Sequence, residues 1–105
     1  MPKPRVLRFG ELTIDLERYQ VLLANQPLAL SSREYALLVC LATQAGQVVS
    51  KRQLVEEGFG LPDPGGIMMV DERIRHLKSQ LEREGQLYIE HVEDIGYRFV
   101  PREGA

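Results

Sequence analysis

Cysteine and histidine are scarce in this chain. Its single cysteine, Cys40, has no internal disulfide partner, so the fold must rest on packing. The two histidines, His76 and His91, fall short of the three or four convergent ligands of a metal centre, and neither a metal nor any other cofactor is expected. No apolar run approaches membrane-spanning length, and residues 1–8 (MPKPRVLR) lack the apolar stretch of a secretory signal. The expectation is a cytoplasmic protein with no membrane partner. An excess of either charge is missing too: 13 Lys and Arg against 15 Asp and Glu give a net charge of −2. That balance excludes indiscriminate binding of polyanions but leaves room for a local basic patch.

Catalytic patterns are equally thin. The glycines of residues 58–66 are not followed by the Lys-Ser/Thr of a phosphate loop. The acidic pairs Glu56-Glu57 and Glu93-Asp94 are neighbours in sequence with no cleft to make them a working pair. Cys40 has no base placed to activate it and reads as a packed thiol. Neither enzyme activity nor a small-molecule substrate is expected.

What is present is enough for one domain spanning residues 1–105, with an ordered core over about 5–101: the chain has 105 residues, 44% apolar and 27% charged. Val6–Phe9, Leu12–Leu16, Gln20–Ala24 and Leu28–Leu30 read as short antiparallel strands, with a turn at Asn25-Gln26-Pro27. Ser31-Ser32-Arg33-Glu34 is a capping box opening a helix to about Ala45, apolar nearly all round and stopped by Gly46. Ser50-Lys51-Arg52-Gln53 is a second box, opening a short helix to about Glu57. Residues 58–66 (GFGLPDPGG) read as an irregular loop, because glycine and proline dominate them. A third helix runs from about Ile67 to Glu84 and stops at Gly85, and residues 88–100 form a hairpin ending at Pro101.

The third helix carries the chemistry. At about 100° per residue, Val70, Ile74, Leu77 and Leu81 share one side and must face the core. Glu72, His76, Ser79 and Arg83 face outward, with Met69, Arg73 and Gln80 on one shoulder and Arg75 on the other. Arg73, Arg75, Lys78 and Arg83 stand against Asp71, Glu72 and Glu82, a modest local excess of positive charge. Such a face is either an ordinary solvated surface or one that meets a nucleic-acid groove.

The order of parts decides between them. Residues 30–38 (LSSREYALL), 46–54 (GQVVSKRQL), 70–78 (VDERIRHLK) and 96–99 (GYRF) resemble the effector domain of OmpR/PhoB-type response regulators, in the right sequence and spacing over about residues 5–100. The resemblance implies an α+β fold: a winged helix-turn-helix with an N-terminal four-stranded antiparallel sheet, three helices and a C-terminal β-hairpin wing. It implies a bacterial transcription regulator that binds double-stranded DNA sequence-specifically. The third helix (about 67–84) would enter the major groove, and the wing (88–100) would lie near the adjacent backbone. On this resemblance the DNA-contacting residues are Glu72, Arg73, Arg75, His76, Lys78, Ser79 and Arg98. The loop residues Phe59, Gly60, Leu61 and Asp63 fall where the family touches RNA polymerase. A homodimer on DNA is a further expectation, because a single small domain buries limited DNA surface.

Two departures from the family pattern stand out. Met68-Met69 replaces an Arg-Thr pair ahead of the Val-Asp, and Glu93-Asp94 replaces Arg-Gly at the wing tip. Two carboxylates there would oppose the negative potential of a minor groove. An alternative reading follows, in which the acidic wing and loop 58–66 make this a winged helix used for protein–protein contact.

Overall fold

A computed structural model describes residues 5–59 and 64–100 of the chain. Strands β1 (Val6–Phe9), β2 (Leu12–Asp15), β3 (Gln20–Leu23) and β4 (Gln26–Pro27) form an antiparallel sheet in sequence order. The period-two pattern sets its inner face: Leu12, Ile14, Val21 and Leu23 are buried, while Thr13 and Leu22 between them are only half-buried. The third turn lies one residue earlier than the sequence suggests. Ala24 and Asn25 take φ of 50° and 65°, a two-residue connection whose twist matches the strands it joins. The fourth strand is therefore Gln26–Pro27; the Leu28 amide still donates to the Val21 carbonyl at 2.9 Å, and Leu28 and Leu30 pack on the core while Ala29 is exposed.

Helix α1 (Ser32–Ala42) begins with the full capping box: the Glu34 amide donates to Ser31 Oγ at 3.2 Å, and the Ser31 amide donates to Glu34 Oε1 at 2.8 Å. Leu37, Leu38 and Leu41 are wholly buried, each contributing about 1.5–3 kcal/mol by its removal from water. The helix ends before Ala45. The Thr43 hydroxyl donates to the Val39 carbonyl at 2.8 Å and the Gln44 side-chain Nε2 to the Cys40 carbonyl at 3.0 Å, which satisfies the last turn early.

Strand β5 (Val48–Ser50), unanticipated in the sequence, leads into α2 (Lys51–Gln53), which continues as a π-helical stretch over Leu54–Phe59. The second capping box is only half made. Ser50 Oγ accepts from the Gln53 amide at 3.1 Å, but the Gln53 side chain bonds to Gln44 Oε1 at 3.1 Å instead.

Helix α3 (Pro64–Leu81) starts before Ile67, so the irregular stretch does not reach Gly66. Proline at the first helical position loses no intrahelical hydrogen bond and arrives with a suitable φ. The helix stops three residues short of Glu84, and the chain turns through Gly85 at φ 92°. Strands β6 (Ile89–Val92) and β7 (Gly96–Phe99) form the hairpin, and β5 pairs with β7 to make a second, three-stranded sheet in the order β5-β7-β6. The hairpin thus roots in the domain through β5. The whole is the α+β winged helix-turn-helix expected, with α3 seated by Val70, Ile74, Leu77 and Leu81, none more than 1% exposed.

Candidate nucleic-acid interface

Burial of that stripe turns the opposite side of α3 to solvent. Glu72, Arg75, His76 and Ser79 are exposed there, with Arg73 and Gln80 half-buried on the shoulder. Among the described residues Arg73 and Arg75 have no carboxylate partner, so both guanidinium groups are available to an anion. Lys78 differs: it is half-buried, with its ammonium 3.8 Å from Glu82 Oε1. The Ser79 hydroxyl donates to the His76 carbonyl at 2.6 Å, which leaves its oxygen lone pairs facing outward as an acceptor.

His76 is committed on one side. Its Nδ1 meets Glu34 Oε2, a bridge from α3 to the N-terminus of α1. Glu34 is 3% exposed, a buried carboxylate that sequence reading took only for a cap. Burial pushes its carboxyl up, but the Ser31 amide and the His76 ring outweigh that and hold it below the ordinary glutamate value.

Asp71 performs the same service toward the wing. One oxygen accepts from Lys51 Nζ at 2.8 Å and the other from the Tyr97 hydroxyl. These two hydrogen bonds lower the Asp71 pKa, against a smaller opposing effect of burial. Burial and the Asp71 hydrogen bond push the Tyr97 phenol up, so it stays a donor. Further along, Glu82 Oε2 accepts from the amides of Tyr88 and Ile89 at 2.8 and 3.0 Å, pinning the entry to β6. Lys51, Asp71, Glu82 and Tyr97 were not singled out from sequence as positioning residues. Their partners lie 6–26 residues away, beyond the reach of a periodic pattern.

A recess of about 430 Å³ lies between α3 and the hairpin, lined by Asp71, Ile74, Arg75, Lys78, His91 and Tyr97. His91 stacks on Tyr97 with ring centroids 4.9 Å apart, and so joins Arg75 and Lys78 there. It was discounted in the sequence as an isolated histidine. Arg98 is drawn the other way, bonded to Glu90 directly across the hairpin. Glu93 and Asp94 are exposed at the wing tip, with Asp94 at φ 67°. Of the suggested polymerase-contact residues, Phe59 ends the π-helical stretch, and Gly60, Leu61 and Asp63 lie outside the described residues.

Elsewhere a larger cleft of about 840 Å³ is lined by Tyr19, Tyr35, Val39 and Cys40 among others. Burial, and secondarily the charge of Glu57, push the Cys40 thiol up to about 11, so it carries no thiolate at neutral pH. No three His, Cys, Asp or Glu side chains among the described residues are grouped to hold a metal ion. No helix among them is long and apolar enough to cross a membrane.

Comparison with known proteins gives a consistent picture. Residues 25–99 match the family model described as "Transcriptional regulatory protein, C terminal". The transcriptional regulatory protein SrrA of Staphylococcus aureus is 33% identical over 97 residues, covering 90% of this chain and 40% of SrrA. This chain therefore spans well under half the length of that relative. Among solved structures, the DNA-binding domain of RstA from Klebsiella pneumoniae, in complex with the RstA box, superposes with a TM-score of 0.82 at 33% identity, covering 94% of this chain and 100% of that one. The DNA-binding domain of CpxR from E. coli gives 0.82 at 27% identity, covering 96% and 100%.

Proposed function

The chain belongs to the family of C-terminal domains of transcriptional regulatory proteins, and on that footing we propose that it binds double-stranded DNA sequence-specifically, with residues 1–105 acting as one domain. The observation that carries this reading is the outward face of α3: two arginines without carboxylate partners beside exposed Glu72, His76 and Ser79, on a helix fixed at both flanks. The likeness to the RstA DNA-binding domain, solved in complex with the RstA box, supports a DNA-binding reading.

In the proposed complex α3 lies in the major groove. Arg73 and Arg75 take phosphates or guanine edges, and Glu72 accepts from a cytosine amino group. His76 and Ser79 face base edges or the sugar–phosphate chain, and Lys78 and His91 add charge in the recess beside the wing. Arg98, held by Glu90, shapes the hairpin more than it meets DNA. The whole protein acts as a bacterial, cytoplasmic transcription regulator rather than an enzyme. Contact of Phe59, Gly60, Leu61 and Asp63 with RNA polymerase belongs to this proposal through the family resemblance, and pairing of two copies on DNA because one small domain buries limited DNA surface.

Selection from a random duplex library, followed by fluorescence anisotropy, tests it. The expected result is an enriched motif bound with affinity that falls steeply with salt. No enriched motif and no binding in low salt would overturn the reading.

A further inference from the structure

His76 is an outward-facing side chain of α3 whose free hydrogen-bonding end is dictated by a buried carboxylate, that of Glu34. Glu34 presents Oε1 to the Ser31 amide at 2.8 Å and Oε2 to His76 Nδ1. As a carboxylate it can only accept, so the imidazole must carry a proton on Nδ1 in either charge state. Nε2 is then the working end. The side chain is 58% exposed, and Nε2 makes no hydrogen bond among the described residues. The charged groups around the ring are Glu34 from α1 and Glu72 and Arg73 from α3, which line the same small recess with Ser31 and Met69.

We propose that His76 is a specificity-determining residue that reads a base edge through Nε2 alone, with Glu34 as the positioning residue that fixes its tautomer, so that the base preferred opposite it changes with pH. The inference rests on the reading that α3 lies in the major groove. In the neutral ring Nε2 is a bare acceptor and accepts a hydrogen bond from the adenine N6 or cytosine N4 amino group. In the imidazolium Nε2 becomes a donor, and its partners are guanine N7 and O6, thymine O4 and adenine N7, with cytosine excluded. A tautomer free to flip would blur this difference, because a neutral ring could then donate as well as accept. The Glu34 carboxylate removes that freedom.

The test is library selection by the whole chain at about pH 8 and about pH 5.5. One position of the motif is expected to move from adenine or cytosine toward guanine or thymine as pH falls, by about tenfold in relative affinity. In Glu34→Gln the neutral amide no longer dictates the tautomer, and the discrimination at that position falls at about pH 8, where a neutral ring could then donate as well as accept. Nitrogen-15 NMR of the imidazole in the wild-type protein should find the Nδ1–H tautomer at high pH. The Nε2–H tautomer, or intact binding with the same preference at every position at both pH values, overturns this inference alone. Absence of binding to any sequence at either pH overturns the parent reading together with it.

Discussion

Lys51 Nζ lies 2.8 Å from Asp71 Oδ2, joining the first turn of α2 to α3 through one carboxylate that also accepts from the Tyr97 hydroxyl of β7. The angle of α3 to the hairpin is therefore held by a side chain whose two oxygens are both engaged within the protein. Reading DNA requires a helix and a wing held in fixed relation, and Asp71 supplies that relation.

Replacing Asp71 with Asn keeps the shape and removes the charge. The expected loss is about 1 kcal/mol, at the low end for charge-assisted hydrogen bonds because the side chain is partly exposed to screening water. Hydrogen bonds from Lys51 and Tyr97 depress the folded-state pKa of Asp71. Its contribution is thus present above the unfolded carboxylate pKa and lost as pH falls through the lower folded value. Urea unfolding of both proteins at a series of pH values checks this: the gap between them should close toward acid pH.

Gly96 cannot accept a side chain. A Cβ there would stand 2.0 Å from the Val49 carbonyl oxygen, where β5 and β7 run together. Gly96→Ala is expected to cost at least about 1–3 kcal/mol, the scale of overpacking in a filled interior. Thermal unfolding should show a fall of several degrees or more, and an unchanged midpoint would contradict the tight β5–β7 approach.

Arg73→Ala and Arg75→Ala should each weaken DNA binding. For each one that neutralises a phosphate, the slope of log affinity against log salt should shrink by about 0.9. Arg98→Ala should leave the slope nearly unchanged, because its guanidinium is already held by Glu90. Anisotropy titrations across a salt series separate the two classes.

The acidic wing tip gives a prediction of opposite sign. Neutralising Glu93 and Asp94 as Glu93→Gln with Asp94→Asn should raise affinity several-fold in low salt, because like charges near phosphate repel and screening removes the effect. Asparagine also tolerates the positive φ at residue 94, so the turn should survive. No change at low salt would place the tip well beyond a Debye length from DNA, roughly 30 Å at 0.01 M.

The helices and the hairpin were legible because their signals are local: a capping box at Ser31, an apolar stripe at Val70, Ile74, Leu77 and Leu81, a turn before Gly96. Strand β5 was not, since its three residues only become a strand by pairing with β7, some 48 residues later in the chain. The same holds for the site. Spacing placed Arg73, Arg75 and His76 on the outward face, but nothing local says that His76 is bonded to Glu34 across 42 residues, or that Lys78 leans on Glu82. Position on a helix can be read from periodicity, whereas the partner of a long polar side chain depends on which surfaces tertiary packing brings together.

The most direct test of the central claim is amide and side-chain NMR mapping of the protein titrated with the duplex recovered by selection. The account predicts the largest shifts at Glu72, Arg73, Arg75, His76 and Ser79 of α3, with smaller ones at His91 and the wing. Shifts concentrated instead around Tyr19, Tyr35 and Val39, with the outward face of α3 silent, would contradict it.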